Sequence, residues 1–172
     1  MAAGPLHVVL VLLHIILVTV WFGMSLRLQF QARALASGES GPTELLRTSG
    51  SRTVQVMSVA AIVFYALAVA NFFVGGGFSA YGPVYHTSLL LGLALVLVQV
   101  LMVQPAWGRL AGGQPEQAKR VSMSIGIGHG LWLVLLVLMF FGPRWSAEWS
   151  VGRAAAPVVP AAVPAAVPAP VP

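Results

Sequence analysis

Four histidines are the residues of this chain best suited to chemistry, and all four lie in strongly apolar stretches. His7 and His14 occur in the first such stretch, His86 in the third and His129 in the fourth. Imidazole binds iron and copper, exchanges a proton near neutral pH, or hydrogen-bonds to a neighbouring helix. Because an ionisable side chain inside an apolar span is costly, these positions indicate function, while simple hydrogen bonding between helices remains the alternative.

Spacing places part of this set on one helix face. His7, His14 and Trp21 recur every seven residues and so form one stripe at about 100° per residue. The stripe must face other helices, because lipid offers imidazole no partner. A rise of about 1.5 Å per residue places His14 and His129 deep in their helices, and His7 and His86 near the outer ends. The pattern allows an outer pair and a mid-membrane pair.

Three glycines surround His129, and two of them have a recognisable spacing. Gly126 and Gly130 form a small-xxx-small pair, which is typical of close helix packing in membranes. The same glycines would give a flat macrocycle room against the backbone. Because paired histidines on facing helices hold metals and haem, both haem and copper are candidate ligands.

Other reactive groups are few. The chain has no cysteine, which excludes disulfides and thiolate ligands. No acidic residue lies within an apolar stretch, which argues against a carboxylate-driven proton pump. Asn71 and Gln99 are predicted to hydrogen-bond between helices.

The elements that position these residues follow from composition. Of 172 residues, 58% are hydrophobic and 8% charged, against roughly 25% charged in soluble domains. Lipid must therefore surround most of the chain. A membrane-spanning helix needs about 20 apolar residues. The sequence predicts an all-α, four-helix transmembrane bundle over residues 1–150, with spans at about 6–26, 54–74, 84–104 and 121–141.

Orientation follows from the basic residues. Seven Arg and Lys lie between spans one and two or between spans three and four, and only two follow span four. The positive-inside rule places both of these connections in the cytoplasm. The N- and C-termini are then predicted on the periplasmic or extracellular side of a bacterial-type inner membrane. The net charge of +5 thus reflects topology, and no nucleic-acid partner is predicted.

Several segments are predicted to end or connect the spans. Residues 31–53 should form a cytoplasmic loop with a short helix at 43–47. Pro105 should end span three, and Gly142-Pro143 should end span four. Residues 151–172, which are mostly Ala, Pro and Val, should form an extended, disordered tail.

Two segments carry a family resemblance. Leu13-His14-Ile15-Ile16 followed by Trp21-Phe22 resembles the first helix of the membrane-embedded, haem-dependent protoporphyrinogen oxidases and of the copper-resistance D membrane proteins. Tyr85-His86 followed by Leu89-Leu90-Leu91 resembles a later oxidase helix, in which a lysine follows the histidine by two residues; that position is Ser88 here. The resemblance covers the first and third spans and implies His14 and His86 as haem or metal ligands.

Three functions are consistent with the sequence. The first is binding of haem b for electron transfer or a redox step, with the cofactor ligands drawn from His14, His86, His129 and His7. The second is copper transport or resistance, with His14 and His86 as metal ligands. The third is a non-catalytic accessory subunit of a membrane complex. Beyond the lipid bilayer, a membrane redox partner or a homo-oligomer is expected, and enzymatic activity is left open.

Overall fold

Four long helices make up the chain in a computed structural model that describes residues 4–38, 43–77 and 82–154, with side chains as far as residue 141. Each is long and apolar enough to cross a membrane, the last through its part Gln117–Phe141. The predicted all-α, four-helix transmembrane bundle is therefore confirmed. The helices are α1 (Pro5–Ser37), α2 (Thr43–Val74), α3 (Pro83–Ala111) and α4 (Gln117–Ala154).

The first two helices extend well beyond their predicted spans. α1 has 33 residues and α2 has 32, which gives each a length of about 50 Å. The hydrocarbon core is only about 30 Å thick. The predicted loop at 31–53 is therefore wrong, and the short helix predicted at 43–47 is the first part of α2. Hydropathy marks only the lipid-embedded part of a helix, whereas α1 continues until Gly38, whose φ of 65° ends it.

α3 continues past Pro105, so the predicted end of span three is also wrong. A π-helical turn, Gln99–Val103, precedes the proline, and α-helix resumes over Gln104–Ala111. The Gln104 N–H donates to the Gln99 carbonyl, five residues back. Because the proline ring clashes with the carbonyl four residues before it, the wider π turn lets the helix proceed without a break.

α4 likewise continues through Gly142-Pro143 to Ala154. Proline is tolerated in membrane helices because neighbouring groups and local adjustments satisfy the freed backbone atoms. The tail predicted at 151–172 therefore begins within helix, and residues 155–172 lie outside the described residues.

Packing divides the bundle into two halves. The upper half comprises residues 5–20, 64–74, 83–95 and 132–141, and the lower half comprises residues 21–37, 43–61, 99–111 and 117–131. The helices pack in the order α1, α2, α3, α4 and back to α1, and the lower part of α3 also contacts α1. Most of the buried apolar core lies in the lower half, and only Phe64 and Leu95 belong to the upper half. The residues of the whole core are Trp21, Leu28, Ala32, Val54, Met57, Ala60, Ala61, Phe64, Leu95, Val103, Ala106, Trp107, Leu110, Ala118, Val121 and Ile125.

Candidate functional site

A cavity of about 670 Å³ lies in the upper half, between all four helices. Its volume falls within the range of about 300–1,000 Å³ that is usual for small-molecule and cofactor sites. Aliphatic and aromatic side chains form most of its wall. The polar or part-polar side chains that line it are His7, His14, Thr19, Tyr65, Asn71, Tyr85 and Ser88.

His14 is held against α2 by a hydrogen bond to the backbone. Its Nδ1 lies 2.8 Å from the Phe64 carbonyl oxygen, and its ring meets the Phe64 ring edge-on at 5.8 Å. A carbonyl oxygen only accepts, so Nδ1 carries the proton and Nε2 keeps its lone pair in the neutral ring. This is the arrangement in which a second partner orients a metal-ligating histidine. His14 is partly buried and lines the cavity.

A polar layer lies above His14. The His14–Phe64 contact fixes the register of the antiparallel helices α1 and α2. Seven residues further toward the upper end, about 10 Å along each helix, come His7 and Asn71. Both line the cavity. The Asn71 Oδ1 is buried and has no hydrogen-bond partner among the described residues, so the predicted pairing of Asn71 between helices does not involve this atom.

His86 stands beside the cavity rather than on its wall. Its ring packs edge-on against Phe72 at 5.7 Å, and Phe72 itself lines the cavity. His86 is not among the lining residues. Of the pair that the resemblance implies, His14 lines the cavity and His86 does not. Joint ligation by His14 and His86 stays a prediction.

His129 takes part in a separate arrangement below the cavity. Its Nε2 lies 2.5 Å from the Ser25 hydroxyl oxygen, and Ser25 donates its own proton to the Phe22 carbonyl at 2.6 Å. A hydroxyl has one proton, so both bonds form together when the Nε2–H of His129 donates to Ser25. The Trp21 and Phe64 rings lie between His129 and His14, at 5.9 Å from His129 and 5.8 Å from His14 respectively. His129 therefore connects α4 to α1.

The glycines around His129 do not pack as their spacing predicted. Gly126 and Gly130 are exposed, and a Cβ at either would meet nothing within 4 Å among the described atoms. The predicted close packing of this pair against another helix is therefore wrong within the described chain, and room for a macrocycle beside it stays a prediction. Gly128 is the closely packed member, since a Cβ there would lie 3.4 Å from the Trp21 ring.

Gln99 anchors the boundary between the two halves. The Trp21 Nε1–H donates to Gln99 Oε1 at 3.3 Å, and Gln99 Nε2 donates to the Ser58 hydroxyl at 3.3 Å. Gln99 is buried and joins α3 to α1 and α2. Its predicted pairing between helices is confirmed. The bonds hold Trp21, whose ring packs against Phe64 just beneath the cavity.

Sequence reasoning missed part of the cavity wall. Tyr65, Tyr85 and Ser88 line the cavity but carry no spacing signal of their own. One local signal exists in α3. Gly92 lacks a side chain where the Tyr65 ring lies, and a Cβ there would be 3.2 Å from that ring. Gly92 thus lets α2 and α3 approach closely at the back of the cavity.

Comparison with known proteins adds no assignment. Within the described residues there is no group of three or more His, Cys, Asp or Glu side chains that could hold a metal ion. The chain matches no family model, no curated protein and no solved structure. The features that bear on function are the cavity and the histidine that the fold orients beside it.

Proposed function

We propose that this multi-pass membrane protein binds a b-type haem in the upper cavity, with His14 as the axial ligand. The observation that supports it most is the position of His14 on the wall of a cavity of about 670 Å³, with Nδ1 bonded to the Phe64 carbonyl. That bond leaves Nε2 as the nitrogen able to ligate iron, and a backbone partner of this kind fixes the ring orientation of a ligating histidine.

The remaining wall suits a flat, largely apolar group. Phe64, Tyr65, Phe72 and Trp132 present rings to the cavity. The polar layer at His7 and Asn71 lies about 10 Å above His14, where these side chains would hold the polar part of such a group. Haem supplies one-electron redox chemistry, and the protein supplies the ligand, the orientation and a dry site.

The protein is expected to provide one axial ligand rather than two. His7 and His14 lie on the same stripe of α1 and hence on the same wall, whereas two axial ligands approach one iron from opposite faces. His86 contacts Phe72 and does not line the cavity. Trp21, held by Gln99 and packed against Phe64, closes the cavity from below and helps to exclude water.

A reduced-minus-oxidised absorption spectrum of the protein, purified in mild detergent and supplied with haem, tests the proposal. The wild type should show Soret and α bands. His14→Gly should lose the ligated spectrum, and added imidazole should restore it, because free imidazole can occupy the vacated position. His129→Gln is the matched control and should leave the spectrum unchanged, since His129 lies outside the cavity.

Two results would overturn the proposal. One is the absence of any haem spectrum in wild-type protein that is folded and supplied with haem. The other is a His14→Gly spectrum identical to that of the wild type. A spectral change in His86→Gln would add His86 as a second ligand and support the pairing that the resemblance implies.

A further inference from the structure

We infer that the upper cavity is entered sideways from the bilayer, through a gap between α1 and α4, and takes a planar amphiphile dissolved in the membrane. The inference deepens the proposed haem site, on which it rests for the identity of the ligand. Beyond the proposed site, we infer that the ligand enters from the lipid rather than from water, and that its polar end has a defined direction in the cavity.

The cavity has a closed back and an exposed front. On α2 and α3 the lining residues include Phe64, Ser88 and Leu95, which are 5%, 6% and 1% exposed. On α1 and α4 the lining residues include Ile15 and Phe140, which are 53% and 71% exposed. A residue that lines a cavity and is also exposed lies at its rim. The opening is therefore between α1 and α4.

Among the described residues, the hydrogen bond and the ring contacts between the two helices lie below this opening. The rings of Phe22 and Trp132 lie 4.9 Å apart, and the Ser25–His129 bond follows one turn lower. Above Trp132, the α4 residues Leu135, Leu136 and Met139 line the cavity. The described residues include no hydrogen bond or ring contact between α1 and α4 at that level. The gap thus begins where the last aromatic contact ends.

The rim has the chemistry of a lipid-facing surface. Ile15, Leu136, Met139 and Phe140 are apolar and exposed. The hydroxyl of Thr19 donates to the Ile15 carbonyl of its own helix at 2.9 Å, so its proton is not available to an entering ligand. Water and charged solutes would be poorly solvated along such a rim, whereas an apolar ring system would be well solvated.

Inside, the upper level of the cavity has a polar group whose hydrogen bond is unmade. The buried Asn71 Oδ1 has no partner within the described part of the chain, and an unmade hydrogen bond at a buried acceptor is costly. A ligand whose polar end carries a hydroxyl or a protonated carboxyl group would donate to it once the Asn71 amide turns toward the cavity, whereas an ionised carboxylate only accepts. The polar end is therefore placed upward, near Asn71 and His7, and the apolar body lies toward His14.

Closing the gap with a covalent link tests the route. The chain has no cysteine, so an Ile15→Cys, Met139→Cys double variant can be joined by a short bismaleimide without side reactions. The full-length apoprotein in vesicles is then mixed with haem-loaded vesicles. Haem uptake should slow about tenfold or more when the link is made before loading, because the route is closed. A link made after loading should leave the spectrum unchanged.

The matched control links the same helices where they are already packed. A Ser25→Cys, His129→Cys variant, joined as a disulfide between two side chains that are already in contact, places the link in the lower half, and haem uptake should match that of the same variant with the disulfide reduced. Unchanged uptake in the linked Ile15→Cys, Met139→Cys protein would overturn the lateral route.

A second measurement needs no haem. A spin label at Val18→Cys, on the cavity wall, should be relaxed by oxygen, which dissolves in the acyl chains, but little by a water-soluble nickel chelate. Ile16→Cys, which is exposed to lipid on the same helix, gives the reference. Strong relaxation by the nickel chelate at residue 18 would overturn the inference. If oxygen access is found and haem never binds, the haem proposal fails while the lateral opening stands.

Discussion

The upper half of the bundle has the more apolar sequence, with no charged residue, yet the lower half is the more closely packed. In the lower half Trp107 is 2% exposed and occupies the space left by Gly50, whereas in the upper half Trp132 is partly exposed and borders a cavity. Within the hydrocarbon core, burial of apolar area gives little preference for close packing, because lipid is as apolar as the protein interior. Small residues and interhelical hydrogen bonds decide where membrane helices approach closely.

This difference assigns different tasks to the two halves. The lower half carries the bonds from Trp21 to Gln99, from Gln99 to Ser58 and from Trp107 to Ser51. The upper half carries an open volume, a buried acceptor and an oriented imidazole. Stability should therefore depend mainly on the lower half, and ligand binding mainly on the upper half.

The largest expected effect compares the two tryptophans. Trp107→Ala should lower the free energy of unfolding by about 3–5 kcal/mol, because it empties a filled site and removes a bond to Ser51. Trp132→Ala should cost about 1 kcal/mol or less, since it enlarges a cavity that already exists. Titration from mild detergent into SDS measures both. Equal losses would contradict the division into a packed and an open half.

Two glycines should respond to the same substitution with opposite signs. Gly50→Ala should destabilise the protein by about 1–3 kcal/mol, because a Cβ at Gly50 overlaps the Trp107 ring. Gly126→Ala meets open space and should stabilise the protein by about 0.5–1 kcal/mol, since alanine favours the helix. The same titration measures both. A loss on Gly126→Ala would show that this face is covered by another chain.

The buried amides give the next comparison. Gln99→Leu should cost about 1–2 kcal/mol, because it removes two interhelical bonds and leaves the Trp21 N–H without an acceptor. Asn71→Leu should leave stability unchanged or raise it, since it removes an unpartnered acceptor. It should also weaken haem binding, measured by spectral titration. Normal haem affinity in Asn71→Leu would exclude the polar layer from the site.

The smallest effect concerns two hydroxyl groups. Ser25→Ala removes the bond to His129 and should cost about 0.6 kcal/mol, the average for such bonds in membranes. Thr19→Ala removes only a bond within its own helix and should change unfolding less. The haem spectrum should be the same in wild type and Ser25→Ala. A spectral shift would show that His129 acts on the site despite its position.

Hydropathy was enough to predict the number and type of elements, since four apolar runs allow only four spans. It did not predict the helix ends, because residues 27–37 carry no stop signal before Gly38 and because the π turn accommodates Pro105. The seven-residue spacing of His7, His14 and Trp21 correctly predicted that all three face other helices. His7 and His14 line the cavity, and Trp21 is buried.

The cavity itself lay beyond sequence reasoning. Its volume depends on how far α1 and α4 separate above Phe22 and Trp132, which is decided by side chains on two distant segments. The shared level of His7 and Asn71 depends on the register between α1 and α2, and only the contact between His14 and Phe64 reveals it. The predicted close packing of Gly126 and Gly130 failed for a similar reason, because spacing alone does not say which face of α4 packs against another helix.

The π turn in α3 has a mechanical consequence. Pro105 has no N–H, and the Gln104 N–H reaches back five residues to Gln99, so the backbone ladder is interrupted at the level where the packed half meets the open half. Helices bend most readily where their hydrogen-bond ladder is interrupted. If the upper part of α3 swings outward to admit a larger ligand, the hinge is this turn, and Trp107 below it keeps its place.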